Sequence, residues 1–117
     1  MSIPLRALLV EDSEDDAFLL LRELQRGGFN VIHERVDTAE DMLAALNAQF
    51  WDIVFVDYSM PHFNGLEALA LLQQHQRPEP LILISGTIGE EVAVEAMKAG
   101  AQDYLLKSNL TRLIPAV

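Results

Sequence analysis

Three stretches are apolar without alternation: residues 53–56 (Ile-Val-Phe-Val), 81–84 (Leu-Ile-Leu-Ile) and 5–10, the last broken only by Arg6. A strand with one wet face alternates polar and apolar residues, whereas an uninterrupted run is covered on both faces. Residues 31–36 are more polar and read as an edge strand, and residues 103–106 read as a fifth strand. Between the strands the apolar spacing becomes helical. Ala17, Leu20, Leu21 and Leu24 share a stripe in residues 17–26. Met42, Leu43 and Leu46 face inward from a helix that runs to residue 47, and Leu66, Leu69 and Leu72 from residues 65–74. Residues 90–99 predict a fourth helix. Strands alternating with helices through short loops predict an α/β fold, a doubly wound parallel sheet with right-handed crossovers.

Local punctuation agrees with this plan. Ser13 is a candidate N-cap, and the acids after it suit the positive end of a helix dipole. Gly27-Gly28 stops that helix, Asp37 or Thr38 caps the next, residues 77–80 form a turn, and Gly100 closes residues 90–99. The 117 residues suffice for one domain, 1–117. There are no cysteines, which excludes a disulfide framework and thiolate chemistry. No apolar run reaches membrane-spanning length, and Met1-Ser2-Ile3-Pro4 lacks the form of a signal peptide, so a cytoplasmic protein without membrane contact is expected. A net charge of −10 opposes direct nucleic-acid binding, because phosphate neutralisation needs basic surface.

The chemistry gathers where strands end. Parallel strands end on one edge, so Glu11-Asp12, Asp57, Ser85 and Lys107 converge there. Clustered carboxylates repel one another, and either a raised pKa or a cation must relieve that. Hard oxygen donors suit Mg²⁺, and a lysine and a hydroxyl facing the same point suit a phosphoryl group. Asp57 is then a candidate nucleophile, since carboxylates form acyl phosphates.

These residues, with Tyr58-Ser59-Met60-Pro61, Gly65-Leu66-Glu67 and Tyr104 three positions before Lys107, resemble the receiver domain of two-component response regulators. The likeness runs from residue 5 to about residue 114. The resemblance implies a flavodoxin-like sheet of order 2-1-3-4-5 and a phosphoacceptor, Asp57, that takes its phosphoryl group from a phosphohistidine. Such a domain catalyses its own phosphorylation and dephosphorylation but acts mainly as a signalling switch. The resemblance further implies that Asp12, Asp57, the backbone carbonyl of Ser59 and Glu11 through water hold Mg²⁺. Ser85 would bond a phosphate oxygen, Lys107 would pair first with the carboxylate and then with the phosphate, and Tyr104 would turn inward as Ser85 moves. The implied partners are a histidine kinase or histidine phosphotransfer protein, docked on the face of Asp16, Leu19 and Glu23, and a downstream output module. Val94, with Glu91, Glu95 and Lys98, forms a second outward face. Residues 85–91 and 107–117 are similar to receivers attached to sensory histidine kinases and cyclic-dinucleotide enzymes.

Some positions depart from the family's commonest pattern. Glu11 is longer than the usual Asp, Gly86 replaces a frequent Ala, and Ser108 replaces Pro, so a trans Lys107–Ser108 bond is expected. Ser59 stands where a phosphatase of similar chemistry has a second Asp, and the acids of residues 11–16 would repel a flavin phosphate. A degenerate receiver acting as a phosphorylation-independent binding platform is the alternative. His33, His62 and His75 show no ligand spacing, and Trp51 reads as packing at a strand entrance. Only ten residues follow Lys107, with Pro115 among them, so the last helix should be short or truncated. The expected consequences are an uncovered sheet face beside the first helix, and self-association as a homodimer or a natural chain that continues.

Overall fold

The computed structural model describes residues 2–58, 60–86, 89–110 and 113–117, without the side chains of Glu90 and Ala116. Among these residues, strands and helices alternate: β1 (Ile3–Val10), α1 (Glu14–Arg26), β2 (Phe29–Val36), α2 (Ala39–Ala48), β3 (Ile53–Asp57), α3 (Gly65–Gln74), β4 (Leu81–Ser85), α4 (Glu90–Ala99), β5 (Asp103–Leu106) and α5 (Leu113–Ala116). The sheet is parallel in the order β2-β1-β3-β4-β5, with β2 on an edge as its polarity predicts.

The strand period of two sorts the core. Leu5, Ala7, Leu9, Ile53, Phe55, Ile82, Ile84 and Leu105 pack with Ala17, Leu20 and Leu24 of α1 and Leu113 of α5. Leu8, Val10, Val54, Val56, Leu81 and Leu83 pack on the other face with residues of α2, α3 and α4. Among the inward residues named from sequence, Leu43 and Leu66 are half-buried, and Met42, Leu46, Leu69 and Leu72 are buried.

Caps set the helix starts. The Ser13 hydroxyl accepts the Asp16 N–H at 3.2 Å, so α1 begins at Glu14, three residues before its first apolar position. Thr38, not Asp37, caps α2 by accepting the Asp41 N–H at 3.1 Å. Asn64 and Glu67 form a capping box on α3. The next residue, Gly65, lies so close to β4 that a Cβ there would stand 2.0 Å from Leu83 Cδ2. Gly100 closes α4 at φ 112°, a left-handed conformation that favours glycine. β1 and β2 are longer than expected because their ladder continues to Ile3–Phe29. Among the described residues no peptide bond is cis, so Lys107–Ser108 is trans as expected.

The expectation of an uncovered sheet face is not met. α5 is a single turn, but Leu113 is 0% exposed within the α1-side core and Ile114 packs against that core. Leu20, Leu24, Ile82 and Ile84 are all buried. One well-placed leucine plugs the space, which removes the apolar patch on which the self-association argument rested. A helix start at Thr111 lies outside the described residues.

Candidate functional site

Alternation places the reactive side chains. Leu9, Phe55 and Leu105 all face α1, so residues two further along, Glu11, Asp57 and Lys107, lean the same way at the strand ends. The Lys107 Nζ lies 3.1 Å from Asp57 Oδ2 and 3.2 Å from Glu11 Oε2. A third carboxylate, Asp16 Oδ2, is closer still at 2.6 Å. Ser85 ends β4 one residue beyond Ile84, the partner of Asp57, and its carbonyl accepts the Lys107 N–H at 2.8 Å. Ser85 and Tyr104 sit on adjoining strands, and Tyr104 packs against the core on the α4 side of the sheet.

Carboxylate oxygens of Glu11, Asp12 and Asp57 lie within 4.8 Å of one another. Glu11 and Asp57 are buried and Asp12 is exposed, so the cluster opens to solvent on one side. Burial pushes the Glu11 carboxyl up to about 7; the neighbouring Asp57 adds to this, while the Ser13 N–H and Lys107 oppose it. A group that resists ionising beside two further acids is what a divalent cation would relieve, and the hard oxygen donors match Mg²⁺. Burial works against the Lys107 charge, but the bonds to Asp16 and Asp57 outweigh it and push the ammonium pKa above its ordinary value.

Of the residues singled out from sequence, Glu11, Asp12, Asp57 and Lys107 come together, and Ser85 stands at the same edge. Ser59 lies outside the described residues. Asp16 was expected on the outward stripe of α1 with Leu19 and Glu23; its carboxylate instead reaches Lys107, which the helical period could not reveal. Leu19 is 52% exposed as expected, and Glu23 pairs with Arg26 at 3.3 Å. Phe18, 63% exposed beside Leu19, was missed, although an aromatic next to that stripe was visible in the sequence. Between α1 and the segment after β5 runs a groove of about 430 Å³, lined by Leu19, Arg22, Lys107 and Leu110 among others. Val94 is exposed on α4 with Met97. The three histidines are exposed, and Trp51 is buried with its Nε1 donating to the Ala45 carbonyl at 3.1 Å.

A parallel sheet of order 2-1-3-4-5 with acids, a hydroxyl and an ammonium at its C-terminal edge defines a flavodoxin-like α/β domain with a charged site at its strand ends. The family model described as "Response regulator receiver domain" matches residues 7–117, and the chain belongs to that family. It is 34% identical over 106 residues to the transcriptional regulatory protein LytR of Staphylococcus aureus, covering 88% of this chain and 41% of LytR. It is 33% identical over 107 residues to the sensory/regulatory protein RpfC of Xanthomonas campestris pv. campestris, covering 88% of this chain and 14% of RpfC. The chain thus spans less than half the length of either relative. Among solved structures it is similar to the receiver domain of the histidine kinase CKI1 from Arabidopsis thaliana complexed with Mg²⁺ and BeF₃⁻, at 25% identity and a TM-score of 0.76. That likeness covers 96% of this chain and 86% of that one. Among the described residues no helix is long and apolar enough to cross a membrane.

Proposed function

We propose that residues 1–117 act as one receiver domain in which Asp57 accepts a phosphoryl group from a phosphohistidine. The observation that carries this reading is the Asp57 carboxylate held 3.1 Å from the Lys107 ammonium beside two further acids at the strand ends. A carboxylate oxygen of Asp57 attacks phosphorus, a P–O bond forms, the P–N bond breaks, and the electron pair leaves on the imidazole nitrogen. The transfer needs little covalent help beyond alignment and charge neutralisation. Lys107 supplies positive charge beside the oxygens that receive the group, and Ser85 offers a hydroxyl at the same edge. Asp12, Asp57 and Glu11 would hold Mg²⁺, with the Ser59 carbonyl as a further donor; the bound ion would supply neutralisation of phosphoryl charge. The complex of CKI1 with Mg²⁺ and BeF₃⁻ supports this choice of ion and group.

The partners proposed are a histidine kinase or phosphotransfer protein at the exposed Leu19 face of α1, and an output module that reads the movement of Ser85 and Tyr104. Incubation with acetyl phosphate and Mg²⁺ should label the chain once, at Asp57. Labelling that survives Asp57→Asn, or that needs no divalent ion, would remove the assignment. Leu19→Glu should slow transfer from a cognate phosphohistidine protein and spare labelling by acetyl phosphate; equal slowing with both donors would place the damage in the site itself.

A further inference from the structure

Asp16 is the acid nearest to Lys107 Nζ, at 2.6 Å against 3.1 Å for Asp57 and 3.2 Å for Glu11. Of the three, Asp16 and Asp57 accept hydrogen bonds from the ammonium, and Glu11 pairs with it by charge. Two of the three belong to the acid cluster able to hold a cation, and Asp16 does not. A cation on that cluster would draw on Glu11 and Asp57 and leave Asp16 as the carboxylate that still holds Lys107 undivided. Asp16 is itself held in place, because its N–H is bonded to the Ser13 cap in the first turn of α1.

We infer that Asp16 is a positioning residue that anchors the Lys107 ammonium on the α1 side of the site and competes with the phosphoryl group for it. This rests on the phosphoacceptor reading of Asp57. A phosphoryl group on Asp57 adds oxygens that need the ammonium, which already donates to Asp16 and Asp57 and pairs with Glu11. Contact with the new oxygens draws the ammonium toward them, and Asp16, the carboxylate nearest to it at 2.6 Å, opposes any shift away from α1. Asp16 thereby lowers the affinity of the site for phosphoryl groups and shortens the lifetime of the occupied state.

The test uses beryllofluoride as the phosphoryl mimic, titrated calorimetrically into the chain at saturating Mg²⁺. Asp16→Asn keeps the shape and removes the charge, and it should tighten binding about fivefold, the scale of a half-exposed ion pair. Asp15→Asn removes the same charge from the same turn, but Asp15 is exposed and Lys107 pairs with Glu11, Asp16 and Asp57 among the described residues. It should change binding less than about twofold. Asp16→Glu restores a carboxylate within reach and should return affinity to the parent's range. Asp16→Asn binding no more tightly than Asp15→Asn, or Asp16→Glu behaving like Asp16→Asn, overturns the anchor while leaving the phosphoacceptor reading intact. A parent chain that neither binds the mimic with Mg²⁺ nor takes label at Asp57 overturns both.

Discussion

At the N-terminal edge of the sheet one buried carboxylate meets an ample set of donors; at the C-terminal edge three carboxylates share one ammonium. Glu79 accepts from Arg77 Nε at 3.0 Å, from Arg77 Nη2 at 2.6 Å and from the Trp51 N–H at 3.0 Å. The same guanidinium bonds the Gln49 carbonyl at 2.8 Å and lies 4.4 Å over the Phe50 ring. Burial raises the Glu79 pKa, but these donors outweigh it and hold the carboxyl below its ordinary value. Glu11 is buried to a similar degree, and its carboxyl is pushed the other way. Both edges bury charge; among the described residues the donors around Glu79 outweigh its burial, and those around Glu11 do not. The Glu79 group fastens the segments before β3 and β4, whereas the strain on Glu11 is what the proposed cation would relieve.

The largest expected effect breaks the Glu79 edge. Arg77→Ala leaves Glu79, whose side chain is 1% exposed, without its cation. Removing one partner of a buried pair costs about 3–5 kcal/mol, because the remaining charge is uncompensated. Urea unfolding should show a loss on that scale, with acetyl phosphate labelling of the folded variant unchanged. A loss below about 1 kcal/mol, the range of exposed pairs, would mean that the edge is not fastened by this group.

The two edges were not equally legible in the sequence. Strand ends in a parallel sheet share an edge, so the apolar runs before Glu11, Asp57 and Ser85, with the short strand 103–106 before Lys107, were enough to bring these residues together. Asp16 escaped because helical periodicity describes one helix alone, and its partner lies 91 residues away. Glu79 escaped because prolines flank it in a segment read only as a turn. The available signal was Arg77 and Glu79 two apart in an extended stretch, where side chains two apart point the same way. The sheet face beside α1 was misjudged because helix length was taken as coverage, while Leu113 covers by position.

A pH titration sharpens the contrast. In the unfolded chain Glu11 takes its ordinary value of 4.5, and in the native site it takes about 7. Between these values the native state holds more protons than the unfolded one, so the Glu11 contribution is complete below 4.5 and is lost as pH rises toward about 7. Glu79 has the opposite sign: its stabilisation is present above its ordinary value of 4.5 and is lost as pH falls. Without metal, the parent chain should lose about 2 kcal/mol of stability from pH 5 to pH 8, and Glu11→Gln should remove most of that decline. On the proposed reading Mg²⁺ draws on the ionised form of Glu11, so affinity should fall up to tenfold per pH unit below 7 in the parent and less steeply in Glu11→Gln. Parallel stability curves for the parent and Glu11→Gln would show that Glu11 is not strained.

The smallest effect separates local stability from site geometry. Ser13 and Thr38 cap α1 and α2 by the same bond, a hydroxyl accepting the N–H three residues on. Loss of either hydroxyl should cost about 1 kcal/mol of stability. The helices they cap differ in what they carry. The first turn of α1 bears Asp16, which bonds Lys107, whereas Thr38 follows the edge strand β2 and caps a helix with no residue in the acid cluster. Ser13→Ala should therefore also change the rate of labelling by acetyl phosphate about twofold or more, since a site loosens when its supporting shell does. Thr38→Ala should lose the same stability and keep the parent rate. If both variants slow labelling equally, the rate follows overall stability, and the first turn of α1 has no separate part in holding the site.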